Sequence, residues 1–180
     1  KSENAEIIRG ANDRKDLLEL NTYARLEVIG KHLVNGVEFI CTDGVVIERD
    51  VEIGAGTQIL PGTIIRSKSV IGKNCKIGPN TVVENCILGD NVNLHAVQAF
   101  SSTIEEGVAI GPYVHLRPDT VIKKGAKIGD FVELKNSTIG ENLTSDLLEE
   151  LNKDCEGPNK ITTMQVAKRL AEIPVDFEPG

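Results

Sequence analysis

Aliphatic residues recur at every sixth position through the central part of the chain, roughly from Val45 to Thr144. An α-helix would repeat its apolar positions every 3.6 residues and a half-buried strand every two, so neither explains this spacing. The period slips near Cys86 to Leu88 and again across His95 to Ile104, where five-residue rungs or a small bulge would restore it. The recurring positions are Ile47, Ile53, Ile59, Ile65, Ile71, Ile77, Val83, Leu88, Leu94, Ile104, Ile110, Leu116, Ile122, Ile128 and Leu134.

A repeat of six fits one short strand followed by one corner, with the aliphatic side chain pointing inward. Hexapeptide repeats form a three-sided prism of about 18 residues per coil, and adjacent coils are separated by roughly 4.8 Å, the spacing of paired strands. We therefore predict an all-β solenoid, a parallel β-helix, over residues 37–144. Small or β-branched residues two positions earlier would fill the space beside each aliphatic residue: Val51, Thr57, Thr63, Ser69, Cys75, Thr81, Val108, Val114, Thr120, Ala126 and Val132.

Helical patterns precede and follow the repeats, where they would cover the open strand edges of the solenoid. Asn12 or Asp13 can cap an N-terminal helix that ends at Gly36, which gives a linker helix within residues 1–36. After Thr144 the sequence predicts a C-terminal helical pair within residues 145–180, as a cap or an oligomer contact. The alternative is that the C-terminus has been excised or altered.

Composition limits the function classes. Aromatic residues make up 3% of the chain and Trp is absent, which suits a narrow interior of thin aliphatic layers. The formal charge of -7 argues against nucleic acid as the main partner, and no apolar run is long enough to span a membrane. There are four cysteines without a CxxC pair, so we expect free thiols in a cytoplasmic protein. The first residues show no signal-peptide pattern, and the chain is expected to be part of a longer protein.

Two cations follow inward aliphatic residues one coil apart. Arg117 and Lys135 are separated by 18 residues, so they should lie in one column about 5 Å apart. Like charges at that distance repel each other, and an anion between them would relieve the repulsion. Arginine suits bidentate phosphate contact and lysine acts as a point charge. The alternatives are two solvated cations, or pairing with Glu133.

The histidines give little support for a metal site. His115 should stack under Glu133 as an ordinary surface pair, whereas His95 lies in an irregular rung and His32 on the leading helix. A zinc site needs several ligands from adjoining faces, and these residues share no column. No metal is predicted, and the sequence assigns no catalytic residue.

Several motifs resemble one enzyme family, the bifunctional N-acetylglucosamine-1-phosphate uridyltransferases / glucosamine-1-phosphate acetyltransferases. The motifs extend over about residues 5 to 143 and include Gly10-Ala11-Asn12-Asp13-Arg14, Asn35-Gly36-Val37, Ile110-Gly111-Pro112-Tyr113, Leu116-Arg117-Pro118 and Ile128-Gly129-Asp130-Phe131-Val132-Glu133-Leu134-Lys135. The resemblance implies a left-handed β-helix that forms a homotrimer and a linker helix that follows a nucleotidyltransferase domain. It also implies that Arg117 and Lys135 contact the phosphates of a sugar phosphate or UDP-sugar.

The chain departs from this family beyond the repeats. The family's catalytic histidine would fall at Leu147, and no histidine follows His115. We also expect the coils that hold acetyl-CoA to be missing, so no cofactor is predicted for these residues. The expected function is a trimeric hexapeptide module from UDP-N-acetylglucosamine synthesis that keeps part of a sugar-phosphate pocket without transferring acetyl groups. The alternatives are an active acetyl-CoA-dependent acyltransferase with His115 or His95 as its base, and a purely structural trimerisation scaffold.

Overall fold

Residues 11–140 are described by a computed structural model, and they form a helix followed by six coils of a parallel β-helix. The predicted helical pair at 145–180 lies outside the described residues. The helix α1 spans Arg14–Val34. The strands of sheet 1 are β1 (Glu38–Phe39), β4 (Gln58–Ile59), β7 (Lys76–Ile77), β10 (Asn93–Leu94), β13 (Ala109–Ile110) and β16 (Lys127–Ile128). Those of sheet 2 are β2 (Val46–Ile47), β5 (Ile64–Arg66), β8 (Val82–Glu84), β11 (Gln98–Phe100), β14 (His115–Leu116) and β17 (Glu133–Leu134). Those of sheet 3 are β3 (Glu52–Ile53), β6 (Val70–Ile71), β9 (Ile87–Leu88), β12 (Thr103–Ile104), β15 (Val121–Ile122) and β18 (Thr138–Ile139).

The predicted inward positions form three aliphatic ladders, one behind each sheet. In sheet 2, Ile47 pairs with Ile65 and Ile65 with Val83, all in parallel register. Their side chains are almost completely buried, as are those of Ile59 and Leu116. Burying a side chain of this size stabilises the fold by about 1.5–3 kcal/mol, so the stacked ladders form the core of the solenoid.

The structure resolves both slips in the period as five-residue rungs. Val83 is followed by Leu88 at the next inward position, and Leu94 is followed by Ala99 and then Ile104. Ala99 pairs with Val83 below and Leu116 above, and it is completely buried. The second slip is therefore two consecutive short rungs without a bulge, and its middle inward residue is an alanine.

The small positions beside the ladders are buried as predicted, except Val132 in the last coil, which is partly buried. Cys75 and Cys86 fill two of them as free thiols, and burial raises the pKa of both. Thr57 donates a hydrogen bond to the Gly72 carbonyl and accepts one from the Cys75 amide, which connects adjacent coils. These residues act as core filler.

The N-terminal helix is confirmed and covers the first coil with its C-terminal half. Asp13 caps it by accepting a hydrogen bond from the Asp16 amide. At the other end, Gly36 adopts a positive φ of 84° and the Val37 amide bonds to the His32 carbonyl, a Schellman arrangement. Val28, Ile29 and His32 are the buried side chains of α1. The apolar residues of its first half do not reach the prism, and Leu18 remains 67% exposed.

Candidate functional site

The outer side of sheet 2 carries the predicted site. Residues that flank each inward residue along a strand point away from the core. In the first three coils these flanking residues form what we term the lower face of sheet 2: Val46, Glu48, Ile64, Arg66, Val82 and Glu84. In the next three coils they form the upper face: Gln98, Phe100, His115, Arg117, Glu133 and Lys135.

Arg117 and Lys135 lie in one column of the upper face. Leu116 pairs with Leu134 in parallel register, and the Arg117 amide donates to the Leu134 carbonyl at 2.8 Å. The Arg117 carbonyl accepts a hydrogen bond from the Thr120 hydroxyl at 2.7 Å, which fixes the backbone where β14 ends. The two cationic residues therefore sit on adjacent coils with their backbones roughly 4.8 Å apart, as the 18-residue spacing predicts.

The two cations differ in their partners. An Arg117 guanidinium nitrogen lies 3.3 Å from a Glu133 carboxylate oxygen, with the two side chains 45% and 59% exposed. This pairing is one of the alternatives that the sequence left open. Among residues 11–140, no carboxylate lies within ion-pair distance of the Lys135 ammonium. The column therefore keeps an excess positive charge beside a solvent-exposed ion pair.

His115 completes the contacts of this face. It pairs with Glu133 in register, and its Nδ1 lies 3.9 Å from the carboxylate oxygen that Arg117 also approaches. Its ring packs edge-to-face against Phe100, with the ring centroids 5.6 Å apart. His95, by contrast, follows β10 in sheet 1, where its amide bonds to the Ile110 carbonyl. The structure thus groups His115 with Arg117 and puts His95 on another side of the prism.

Two other lysines of the upper coils pair with carboxylates one coil below. The Lys123 ammonium lies 2.8 Å from Glu105, and the Lys124 ammonium lies 3.0 Å from Glu106. The hydrogen bond from the Lys123 side chain lowers the pKa of Glu105. Lysines on this fold can therefore pair with a carboxylate of the neighbouring coil, whereas Lys135, like Lys127 in the same coil, has no such partner among residues 11–140.

Two aromatic residues beside this face were not predicted as site residues. Tyr113 and Phe131 lie at the corner that leads into β14 and β17, and their rings stack with centroids 5.2 Å apart and an interplanar angle of 17°. They are 66% and 73% exposed. An open cavity of about 470 Å³ lies alongside and is lined by Asn80, Ala96, Gln98, Tyr113, Val114 and His115.

Within the part of the chain that the structure describes, His, Cys, Asp and Glu form no cluster of three that could hold a metal ion. In the same residues, no helix has the length and apolar character needed to cross a bilayer.

Comparison with known proteins places this architecture in a family. Residues 32–134, more than half of the chain, match the left-handed β-helix (LbH) domain of EIF2B subunit epsilon. The chain belongs to the left-handed β-helix family of hexapeptide-repeat proteins. This assignment confirms the predicted fold class, including the left-handed winding that the sequence resemblance implied.

Curated relatives confirm the resemblance to the bifunctional bacterial enzymes. The chain is 41% identical over 152 residues to the bifunctional protein GlmU of Thermotoga maritima, a match that covers 84% of this chain and 34% of that protein. It is 44% identical over 139 residues to GlmU of Caldanaerobacter subterraneus, which covers 77% of this chain and 30% of that one. The chain thus spans about a third of the length of these relatives.

A solved structure with the same fold is the acetyltransferase domain of PglB from Neisseria gonorrhoeae. It superposes with a TM-score of 0.53 at 16% sequence identity, covering 68% of this chain and 65% of that one. At this identity the likeness establishes the fold alone.

Proposed function

We propose that this chain is a trimeric hexapeptide module of the acyltransferase type that binds a sugar phosphate through Arg117 and Lys135 without transferring an acetyl group by itself. The similarity to GlmU proteins supports a place in the synthesis of UDP-N-acetylglucosamine, a cell-wall precursor. The free thiols of Cys75 and Cys86 are in keeping with the cytoplasmic location that we propose.

The observation that carries the proposal is the stacking of Arg117 under Lys135. Two cations on adjacent strands repel each other, and Glu133 offsets one of the two charges. A phosphate has enough oxygens to accept hydrogen bonds from the guanidinium and the ammonium together. An anion at this position would therefore be held by charge-assisted hydrogen bonds from two coils.

The proposed lack of transfer rests on proton chemistry. Attack by an amine on a thioester requires a group that accepts the amine proton, placed within hydrogen-bond reach. The family's histidine has no counterpart among these 180 residues, because Leu147 stands at its position. We accordingly propose that this chain binds no acetyl-CoA of its own, and that the sugar phosphate is its ligand.

Calorimetric titration of the 180-residue protein with glucosamine 1-phosphate tests this function. We expect saturable binding that is weakened at least tenfold in Arg117→Ala, because a charge-assisted hydrogen bond contributes about 1.5–3 kcal/mol. Lys127→Ala is the matched control, since Lys127 is an exposed lysine on the same coil as Lys135 but in sheet 1. No saturable binding by the wild-type protein would leave the scaffold role.

The position of His115 supports a second candidate, an active acyltransferase. Its ring lies between Phe100 and Glu133, and a carboxylate beside an imidazole can orient it as a general base. This candidate predicts thiol release from acetyl-CoA that depends on glucosamine 1-phosphate and disappears in His115→Ala. Absence of thiol release from the assembled wild-type protein would reject it.

A further inference from the structure

The aliphatic core is closed less completely at the upper end of the prism than inside it. The inward residues of β13, β14 and β15 are at most 2% exposed. Those of β16, β17 and β18, one coil above, are only partly buried: Ile128, Leu134 and Ile139. Apolar area left in water at this end costs stability, and a solenoid needs a cap with a polar outer surface at each end. The upper end is therefore a surface that another segment should cover.

The direction of the backbone hydrogen bonds gives this end a ring of donors. Inside the prism, alternate strand amides donate to the coil above, as the Ala109 amide does to the Ala126 carbonyl at 3.1 Å. The corresponding amides of the last coil have no acceptor within residues 11–140: Lys127, Gly129, Glu133, Lys135 and Thr138. We term these five amides the upper rim. A backbone amide that is covered needs an acceptor, so whatever covers the upper rim should supply acceptors.

The lower end shows how the opposite rim is satisfied. There the first coil presents carbonyls, and the Arg25 guanidinium of α1 donates to those of Thr42 and Val45 at 2.9 and 3.3 Å. One coil higher, the carbonyl equivalent to that of Val45 belongs to Thr63, and it accepts a hydrogen bond from a strand amide. A cationic side chain on the covering helix thus replaces the missing strand. The matching group for a rim of amides is a carboxylate, because charge-assisted hydrogen bonds are the stronger ones.

The chain supplies a segment of this character directly after the rim. In the helix that the sequence predicts from Ser145, Leu147, Leu148 and Leu151 lie on one stripe. Residues 141–157 contain one lysine and six acidic residues: Glu141, Asp146, Glu149, Glu150, Asp154 and Glu156. The connection 141–144 can span roughly 14 Å, and a helix of about 12 residues is about 18 Å long. A prism side of six residues measures at most about 20 Å, so one such helix can cross the upper end.

A second copy of the chain fits the upper end less well. Two upper ends in contact would place donors opposite donors and leave the amides of both rims unpaired. An upper end placed on the lower end of another copy would meet carbonyls, but α1 and Arg25 already occupy that end. The hydrogen-bonding polarity of the prism therefore favours a cover from the same chain.

We propose that residues 141–157 fold over the upper end of the prism and close its core. The leucine stripe packs on Ile128, Leu134 and Ile139. Glu150 and Asp154, four residues apart along one edge of that stripe, accept hydrogen bonds from the upper rim. The inference is independent of the anion site, because it concerns the end of the prism and not the outer side of sheet 2.

Hydrogen exchange of the full 180-residue protein, followed by mass spectrometry, tests this inference. In the wild type the amides of β16, β17 and β18 should be protected. Leu151→Asn should speed their exchange roughly tenfold or more, because an apolar contact with the core is lost. Lys153→Asn is the matched control, since Lys153 lies on the opposite side of the predicted helix, and it should change nothing. Exchange at β16–β18 that is equally fast in the wild type and in Leu151→Asn would overturn the inference.

Carbodiimide cross-linking of the wild type gives a second readout, which decides the matter if Leu151→Asn also exposes β4 and β5 and so unfolds the prism. The exposed Lys127 has no ion-pair partner among the described residues. The reagent activates a carboxylate, the deprotonated lysine amine attacks it, and an amide bond forms as the urea leaves. We expect a link from Lys127 to a carboxylate of residues 141–157 within one chain, absent in Lys127→Arg. Links to a second chain only, or to none of these carboxylates, would overturn the inference.

Discussion

The lower and upper faces of sheet 2 share a backbone but differ in charge. Along the column that follows the inward ladder, the lower face alternates in sign through Glu48, Arg66 and Glu84. The same column of the upper face continues with Phe100, Arg117 and Lys135, where two cations are adjacent. The inward residues behind both faces are aliphatic, and all of them are buried except Leu134 in the last coil, which is partly buried. The comparison teaches that the fold fixes the inward positions and leaves the outward ones free to form a binding surface.

The first prediction concerns the core, because the inward residues should contribute similarly to stability behind the lower face and behind the upper face. Ile65→Ala behind the lower face and Leu116→Ala behind the upper face each leave a cavity at a completely buried position. Each should lower the free energy of unfolding by about 2–5 kcal/mol, measured by urea denaturation. A cost confined to one of the two variants would show that the halves do not share one continuous core.

The second prediction concerns a substitution that gives the column of the upper face the alternating charges of the lower face. Lys135→Glu places a carboxylate next to Arg117 and restores alternation of sign. Binding of glucosamine 1-phosphate should weaken by at least about 10- to 100-fold, because a charge-assisted contact is lost and a repulsive one is gained. Arg66→Glu, the matched reversal on the lower face, should leave the affinity unchanged. Equal losses in both variants would indicate that only the net charge of the protein matters.

The third prediction assigns pH sensitivity to the lower end of the solenoid. His32 is buried there, neither ring nitrogen has a hydrogen-bond partner, and burial followed by the charge of Lys31 lowers its pKa below 6.5. The unfolded chain therefore binds a proton more readily than the folded one, so stability should be complete above about pH 6.5 and fall as the pH is lowered.

His32→Leu removes the two unpaired nitrogens and should raise the free energy of unfolding by about 1 kcal/mol near neutral pH. Thermal melts between about pH 7.5 and pH 5 should show a smaller decrease in Tm for this variant than for the wild type. His115→Leu is the control from the upper face, where the ring is partly exposed. A decrease that follows His115 instead would contradict the assignment.

The fourth and smallest prediction concerns the carboxylate that competes for Arg117. Glu133→Gln removes an exposed ion pair, and such pairs contribute about 0.2–1 kcal/mol. Affinity for glucosamine 1-phosphate should rise by up to about fivefold in a calorimetric titration, whereas Glu84→Gln on the lower face should have no effect. A marked loss of affinity in Glu133→Gln would mean that the carboxylate contacts the ligand directly.

The period of six made most of the fold predictable, because each rung exposes its inward residue to the same packing requirement. The inward position of Ala99 was not predicted, since a single alanine is a weak indicator of the aliphatic repeat and this one lies between two five-residue rungs. The N-terminal helix was predictable from its caps. The apolar residues along this helix suggested a longer contact with the prism than the structure shows, because only the C-terminal half of the helix lies over the first coil.

The column of Arg117 and Lys135 was predictable because no short rung lies between them, so counting 18 residues holds. Whether the two cations have partners was not predictable, since the contact of Arg117 with Glu133 depends on side-chain geometry. Tyr113 and Phe131 also lie 18 residues apart, and this spacing was a signal that could have identified the pair. Their positive φ and the cavity beside them required the corner geometry.

A double-mutant cycle tests most directly whether Arg117 and Lys135 form one anion site. Affinities for glucosamine 1-phosphate are measured for the wild type, Arg117→Ala, Lys135→Ala and the double variant. If one phosphate contacts both side chains, the double variant should lose less binding energy than the sum of the single losses, with a coupling of about 0.5–3 kcal/mol. Strictly additive losses, or affinities that none of the three variants changes, would contradict a shared phosphate site on adjacent coils.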